Sequence, residues 1–176
     1  MKRSLYRQVL QNEFEKMSPV LQKLHSATGD VKANGTVSME YGKGSIIKLL
    51  NRLMGLPPEG KNIKMELQIR KNNESEIWIR KFNGFELRTE QFKYKDQLIE
   101  KFGVFTLGLN LLVINGSLQF RQNFVRMFRW RLPQAMSVNA TASATEEENT
   151  WLLNVESNVF LLGLMFRYSG KIKLEQ

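Results

Sequence analysis

Two Asn-Gly pairs, Asn83-Gly84 and Asn115-Gly116, each lie between runs in which apolar and polar residues alternate. Few short signals constrain a chain as much. Both residues tolerate the positive φ of a two-residue type I′ turn, and the alternation sets a period of two. Each pair therefore predicts an antiparallel hairpin whose register can be written down. In the second, Ile114 faces Ser117, Val113 faces Leu118 and Leu111 faces Phe120. One face then carries Leu107, Leu109, Leu111, Val113, Leu118, Phe120 and Phe124. The other carries Thr106, Gly108, Asn110, Ser117, Gln119, Arg121 and Asn123, with Leu112 and Ile114 as exceptions. In the first, Phe82 faces Phe85, Lys81 faces Glu86, Arg80 faces Leu87 and Trp78 faces Thr89. Trp78, Arg80, Phe82, Phe85 and Leu87 share what should be the core face.

The same period recurs along most of the chain. Val31 to Tyr41 reads as a strand with Val37, Met39 and Tyr41 on one face. Met65, Leu67 and Ile69 alternate with charged neighbours, and Asn72-Asn73 turns the chain. Met136 to Thr145 is a strand of small residues, with Val138, Ala140, Ala142 and Ala144 on one face. Glu146-Glu147-Glu148-Asn149 turns it, Trp151 to Ser157 returns, and Phe160 to Leu174 is a last strand. Helical spacing leads the chain instead: Leu5, Tyr6, Val9, Leu10 and Phe14 lie on one face, and Ser18-Pro19 opens a second helix that runs to His25. A third follows Ser45, a candidate N-cap, through Ile46, Ile47, Leu49, Leu50, Leu53 and Met54, and stops at Gly55-Leu56-Pro57-Pro58.

The expected fold class is α+β, mainly β. It is a strongly curved antiparallel sheet or barrel-like cup of about 8–10 strands, with two or three N-terminal helices packed on it. Residues 1–176 read as one domain, with a helical part over 3–56, a strand near 31–41 within it, and antiparallel strands over 62–175. Gly108, Gly163 and Gly170 are plausible bends.

Composition excludes more than it assigns. There is no Cys and His25 is the sole His, so thiolate chemistry, disulfides and His-pair metal sites are out, and no metal or cofactor is expected. No nucleophile-elbow, phosphate-loop or dinucleotide motif is present. The N-terminal stretch MKRSLYRQVLQNEFEK lacks a signal peptide's apolar run, and Val159 to Phe166 is too short to span a bilayer, so a cytoplasmic protein is expected. The net charge of +9 is spread along the chain without a basic run. One segment, Phe124 to Arg131, interleaves Phe124, Phe128 and Trp130 with Arg126, Arg129 and Arg131. It reads either as an edge strand with aromatics inward and arginines in water, or as a surface for a protein or an anionic membrane. Nucleic acid is the weaker reading. The third helix reads either as a cover over the sheet or as a helix lying on a membrane.

Arg80 poses the sharpest question, because a buried guanidinium needs a partner. Glu100 in LIEKFG shares a face with Leu98 and Phe102, so it points where apolar groups point. Arg80–Glu100 is the expected pair, with Arg88, Glu66 and His25 as other candidates for its neighbourhood. The pair is either an internal salt bridge that fixes register or a polar anchor in an apolar pocket.

The ordered stretches LHSATGDVKANGTVSMEYGKG, LLNRLMGLPPEG, EIWIRKFNGFELRTEQ, LIEKFG, FRWRLPQAM and LMFRYSGKIKL span nearly the whole chain. In these the sequence resembles a bacterial family known as domain of unknown function 4166. Gly55, Leu56, Pro57, Trp78, Arg80, Phe82, Glu100, Phe102, Gly103, Pro133, Gly163, Tyr168 and Gly170 fit its pattern. The chain departs from that pattern in having Asn158-Val159-Phe160-Leu161-Leu162 where the family often has a Pro. Members can be attached to a membrane segment or to an oxidoreductase domain. The resemblance implies a free-standing copy without that activity, and it carries over no catalytic residue. The leading expectation is non-catalytic binding of an apolar or amphipathic, lipid-like molecule by Arg80, Glu100, Trp78, Phe82 and Tyr168. The alternatives are an interaction surface at Arg126, Arg129, Trp130 and Arg131, and an enzyme using Glu100 as acid or base.

Overall fold

The computed structural model describes residues 4–53, 55–72, 74–132, 136–145, 147–159 and 161–175; at 136 and 137 it describes the backbone alone. The expected roles of Met54, Asn73, Pro133, Glu146 and Phe160 fall outside these residues. Helices α1 (Leu5–Leu10) and α2 (Pro19–Ser26) flank a 3-10 turn, Gln11–Lys16. Strand β1 (Val31–Tyr41) leads into α3 (Ser45–Leu53). Strands β2 (Gly60–Lys71), β3 (Ser75–Phe82), β4 (Phe85–Tyr94), β5 (Gln97–Phe102), β6 (Phe105–Ile114) and β7 (Ser117–Met127) then follow as a meander. A two-residue β8 (Trp130–Arg131) precedes β9 (Met136–Ala144), β10 (Thr150–Val159) and β11 (Gly163–Leu174). Ser45 is the first residue of α3 and not its cap: the Lys48 N–H donates to the Gly44 carbonyl.

Every neighbouring pair is antiparallel, and the sheet closes on itself: β11 pairs β1, and β7 pairs both β6 and β9. Ten strands form the barrel, and β8 lies outside that ring on the edge of β7. Closure removes the open sheet edge, which would otherwise template aggregation. The β1–β11 seam is tight. Gly35 lies opposite Ile172 and Val37 opposite Gly170, and a Cβ on Gly170 would come 2.0 Å from the Thr36 carbonyl oxygen. Gly170 is therefore a point of close backbone approach; the bend expected there gives way to a contact that no larger residue could make.

Both predicted hairpins form in the expected register, from Phe82↔Phe85 to Trp78↔Thr89 and from Ile114↔Ser117 to Leu111↔Phe120. The second departs from expectation at a β-bulge, where Leu109 faces Gln122 but Gly108 faces Phe124. One extra residue in β7 reverses the side chains beyond it. Val125 therefore points into the core, and Phe124, placed there by the sequence, lies outside against Gly108. Arg126 and Arg131 stack their guanidinium groups over the same Phe124 ring, 4.9 and 5.7 Å from its centre. The inward aromatics expected of this segment are thus absent: Phe128 and Trp130 are both exposed.

The two ends of the barrel differ. At one end α1, the 3-10 turn and α2 form a cap. They are tied to the strand ends by the Ser18 N–H donating to the Gly116 carbonyl and by Lys93 Nζ donating to the Gln8 carbonyl. At the other end α3 spans the gap between β1 and β2, held by the Gly42 N–H and by Asn51 Nδ2, both donating to the Met165 carbonyl. No helix among the described residues is long and apolar enough to cross a membrane.

Candidate functional site

Strand alternation turns one side chain in two toward the barrel axis. On β3 these are Glu76, Trp78, Arg80 and Phe82; on β4, Leu87, Thr89 and Gln91; on β5, Leu98, Glu100 and Phe102. They meet the small inward residues of β9, Ala140 and Ala142, which leave room opposite. The result is an internal cavity of about 130 Å³. Its wall is mainly apolar, including Leu67, Leu107, Leu109, Phe120, Val155 and Phe166, and α2 and α1 contribute His25 and Tyr6.

The polar groups on that wall are connected to one another and to Glu76 and Lys71 beside it. Arg80 donates to Thr89 Oγ1 at 3.1 Å, lies 3.5 Å from Glu100 Oε1, and stacks 5.1 Å from the Trp78 ring centre. Trp78 Nε1 donates to Glu76 at 3.1 Å, and Glu76 lies 4.0 Å from Lys71 Nζ, which also donates to the Leu24 carbonyl. The Tyr6 hydroxyl donates to Gln91 at 2.8 Å, and its ring stacks on His25 with centres 3.6 Å apart. Charge is therefore balanced within the barrel, with two cations matched by two carboxylates.

Burial sets the electrostatics of this cluster. It lowers the His25 pKa well below the usual histidine range, and the Lys71 charge lowers it further, so the imidazole is neutral. It raises the Glu76 carboxyl, against the pull of Lys71 and Trp78, and lowers Lys71 against the pull of Glu76. Burial also raises the Tyr6 and Tyr168 hydroxyls, so both are un-ionised donors near neutrality. Two buried acceptors, His25 Nδ1 and Glu76 Oε1, make no hydrogen bond among the described residues. Within those residues no group of three or more acidic or His side chains could hold a metal ion.

Of the residues singled out from sequence, Arg80, Glu100, Trp78 and Tyr168 line the cavity, and Arg80 and Glu100 form the expected pair. Phe82 is fully buried one layer away, edge-on to Tyr168 with ring centres 6.1 Å apart. His25 joins the cluster, whereas Glu66 and Arg88 are exposed on the outer face and play no part in it. Arg126, Arg129, Trp130 and Arg131 are exposed on the outside of the barrel, remote from the cavity wall. Sequence reasoning missed Tyr6, Lys71, Glu76 and Gln91. Glu76 carried a usable signal, since it stands two residues before Trp78 on the same strand face. Tyr6 carried none, because the docking angle of α1 is not written in its periodicity.

The family model described as "Domain of unknown function (DUF4166)" matches residues 17–172, a span that leaves out α1. No curated protein matches the chain. Among solved structures, the chain is similar to apo lipid binding protein 8 (LBP-8) of Caenorhabditis elegans. The identity is 13%, the TM-score 0.44, and the match covers 84% of this chain and 94% of that one. It is also similar to Rv2717c from M. tuberculosis, with 8% identity, a TM-score of 0.46, and coverage of 91% and 99%.

Proposed function

The chain belongs to the DUF4166 family, and we propose that it binds an apolar or amphipathic, lipid-like small molecule inside the barrel without transforming it. One observation carries this reading: a mainly apolar internal cavity has a few convergent polar groups on its wall, the arrangement that orients a ligand in an otherwise non-directional pocket; at about 130 Å³ it takes a small apolar group as it stands, so a longer ligand would displace wall side chains. The Arg80 guanidinium supplies donors toward an acceptor oxygen of the head group, and Thr89 and Glu100 hold it in place. Because Glu100 already balances Arg80, a hydroxyl, ester or amide suits the site better than a second carboxylate.

The test is native mass spectrometry of the freshly purified protein, followed by organic extraction. The expected result is a reproducible bound mass that is lost in Ala140→Trp, which fills the cavity. It should also be lost in Arg80→Met/Glu100→Gln, which removes the anchor without leaving an unpaired carboxylate. A bound mass that survives both variants would refute the assignment.

A further inference from the structure

The apolar residues that remain in water are concentrated at the α3 end of the barrel. Ile46, Leu49 and Leu53 project from α3, Phe128 and Trp130 from the β7–β8 turn, and Leu161 from the β10–β11 turn. Leu161 is 89% exposed and Trp130 is 79% exposed. Strand register places all three segments on one rim: Tyr41 lies beside Phe166, Val159 beside Gly163 and Met136, and Phe105 beside Met127.

Helix α3 is oriented in an unusual way. Its buried contacts are Ile47 and Asn51, four residues apart on one side. At 3.6 residues per turn, Leu49 falls opposite that side with Ile46 and Leu53 next to it, and Lys48 and Arg52 fall on one flank. The apolar stripe of the helix is thus turned to solvent, beside a basic stripe.

The segments that carry these apolar side chains are basic, although Glu40, Glu59 and Glu86 are also exposed at this end of the barrel. No Asp or Glu occurs between Glu40 and Glu59, a stretch that holds Lys43, Lys48 and Arg52, nor between Glu100 and Glu146, which holds Arg126, Arg129 and Arg131. These six cations are exposed and have no carboxylate partner among the described residues.

We propose that the α3 end of the barrel docks on an anionic phospholipid bilayer. The apolar side chains of α3 and the two turns would enter the headgroup region, and the flanking Lys and Arg would lie at the phosphate level. Shallow insertion of an apolar stripe between basic residues is what an interfacial helix requires. Anionic headgroups match the unpaired basic side chains of α3 and the β7–β8 turn, whereas a second copy of this rim would bring those like charges together. This inference stands apart from the cavity reading, since none of the docking residues lines the cavity.

The test is flotation of the full chain with vesicles of phosphatidylcholine and phosphatidylglycerol in equal parts, against phosphatidylcholine alone. The expected result is flotation with the anionic vesicles alone, reduced by high salt. A blue shift of tryptophan emission should accompany it; Trp78 and Trp151 are buried, so the shift reports Trp130. Leu49→Glu/Leu53→Glu and Lys48→Glu/Arg52→Glu change exposed side chains and should melt as wild type, yet each should lower the bound fraction roughly tenfold or more. Equal flotation with both vesicle types, variants that float like wild type, or a dimer broken by Leu49→Glu/Leu53→Glu without any flotation would each overturn the proposal.

Discussion

His25 gives the barrel a pH dependence that can be isolated, because no other histidine titrates beside it. It is buried at the end of α2, stacked on Tyr6 and 6.0 Å from the Trp78 ring. Burial and the nearby Lys71 charge hold its pKa well below the ordinary value. In the unfolded chain it returns to about 6.5. As pH falls through that value the unfolded state gains a proton that the native state refuses, so stability falls with pH. Between pH 7.5 and pH 5.5, full refusal amounts to about 1.4 kcal/mol, one decade of proton binding. Glu76 acts in the opposite direction, since its raised pKa lets the native state hold a proton that the unfolded state has released. The measurement is therefore a difference: urea melts of wild type and His25→Phe, which keeps the aromatic stack, at both pH values. The stability gap should shift by about 1.4 kcal/mol in favour of His25→Phe on going to the lower pH. A gap that stays constant, or a histidine C2 proton resonance titrating near pH 6.5 in the native protein, would refute the reasoning.

Further perturbations test the wall of the site and the close backbone contacts of the barrel. Arg80→Met alone leaves Glu100 buried beside an apolar chain and should cost about 3–5 kcal/mol in chemical denaturation; Arg80→Met/Glu100→Leu should recover most of it, and a double variant no better than the single would show that the pair does not act as a unit. Gly170→Ala pushes a methyl into the backbone of β1 and should destabilise by about 1–3 kcal/mol or more. Gly108→Ala meets only the ring of Phe124 and should cost clearly less in the same urea melts, because that ring lies on the outside and can swing away.

How much of this was legible in the sequence follows from what local chemistry can encode. The Asn-Gly turns fixed two registers, and register placed Arg80 on the inner face, so its pairing with Glu100 could be argued before any coordinates. The bulge at Gly108/Leu109 was not legible: an extra residue keeps the alternation on each side of itself, and only the partner strand shows where the phase changes. That is why Phe124 and Val125 exchanged places. The orientation of α3 was hidden for a different reason. An apolar stripe ordinarily marks the buried side of a helix, but here Ile47 and Asn51 face the barrel, where Asn51 Nδ2 donates to the Met165 carbonyl. The cap formed by α1 and α2 depends on contacts between residues far apart in the chain, such as Tyr6 with Gln91 and Lys71 with the Leu24 carbonyl, and no periodicity announces these.

The position of the polar groups along the barrel bears on how a ligand would lie. On β3 the inward residues run Glu76, Trp78, Arg80, Phe82 from the helical cap toward the α3 end; on β5 they run Leu98, Glu100, Phe102 in the same direction. Lys71, Glu76, Gln91 and His25 thus lie on the capped side, Arg80 and Glu100 at mid-height, and aromatics toward α3. An amphipathic molecule would sit head inward, with its tail toward the rim that carries the exposed Leu and Trp side chains. Stability alone does not account for this arrangement. A buried ion pair is seldom better than apolar residues of similar volume, and His25 Nδ1 and Glu76 Oε1 make no hydrogen bond among the described residues, Glu76 Oε1 having only the Lys71 charge at 4.0 Å. Met at 80 together with Leu at 100 should therefore cost little. On the proposed reading, the polar set at mid-height is what such a ligand would use.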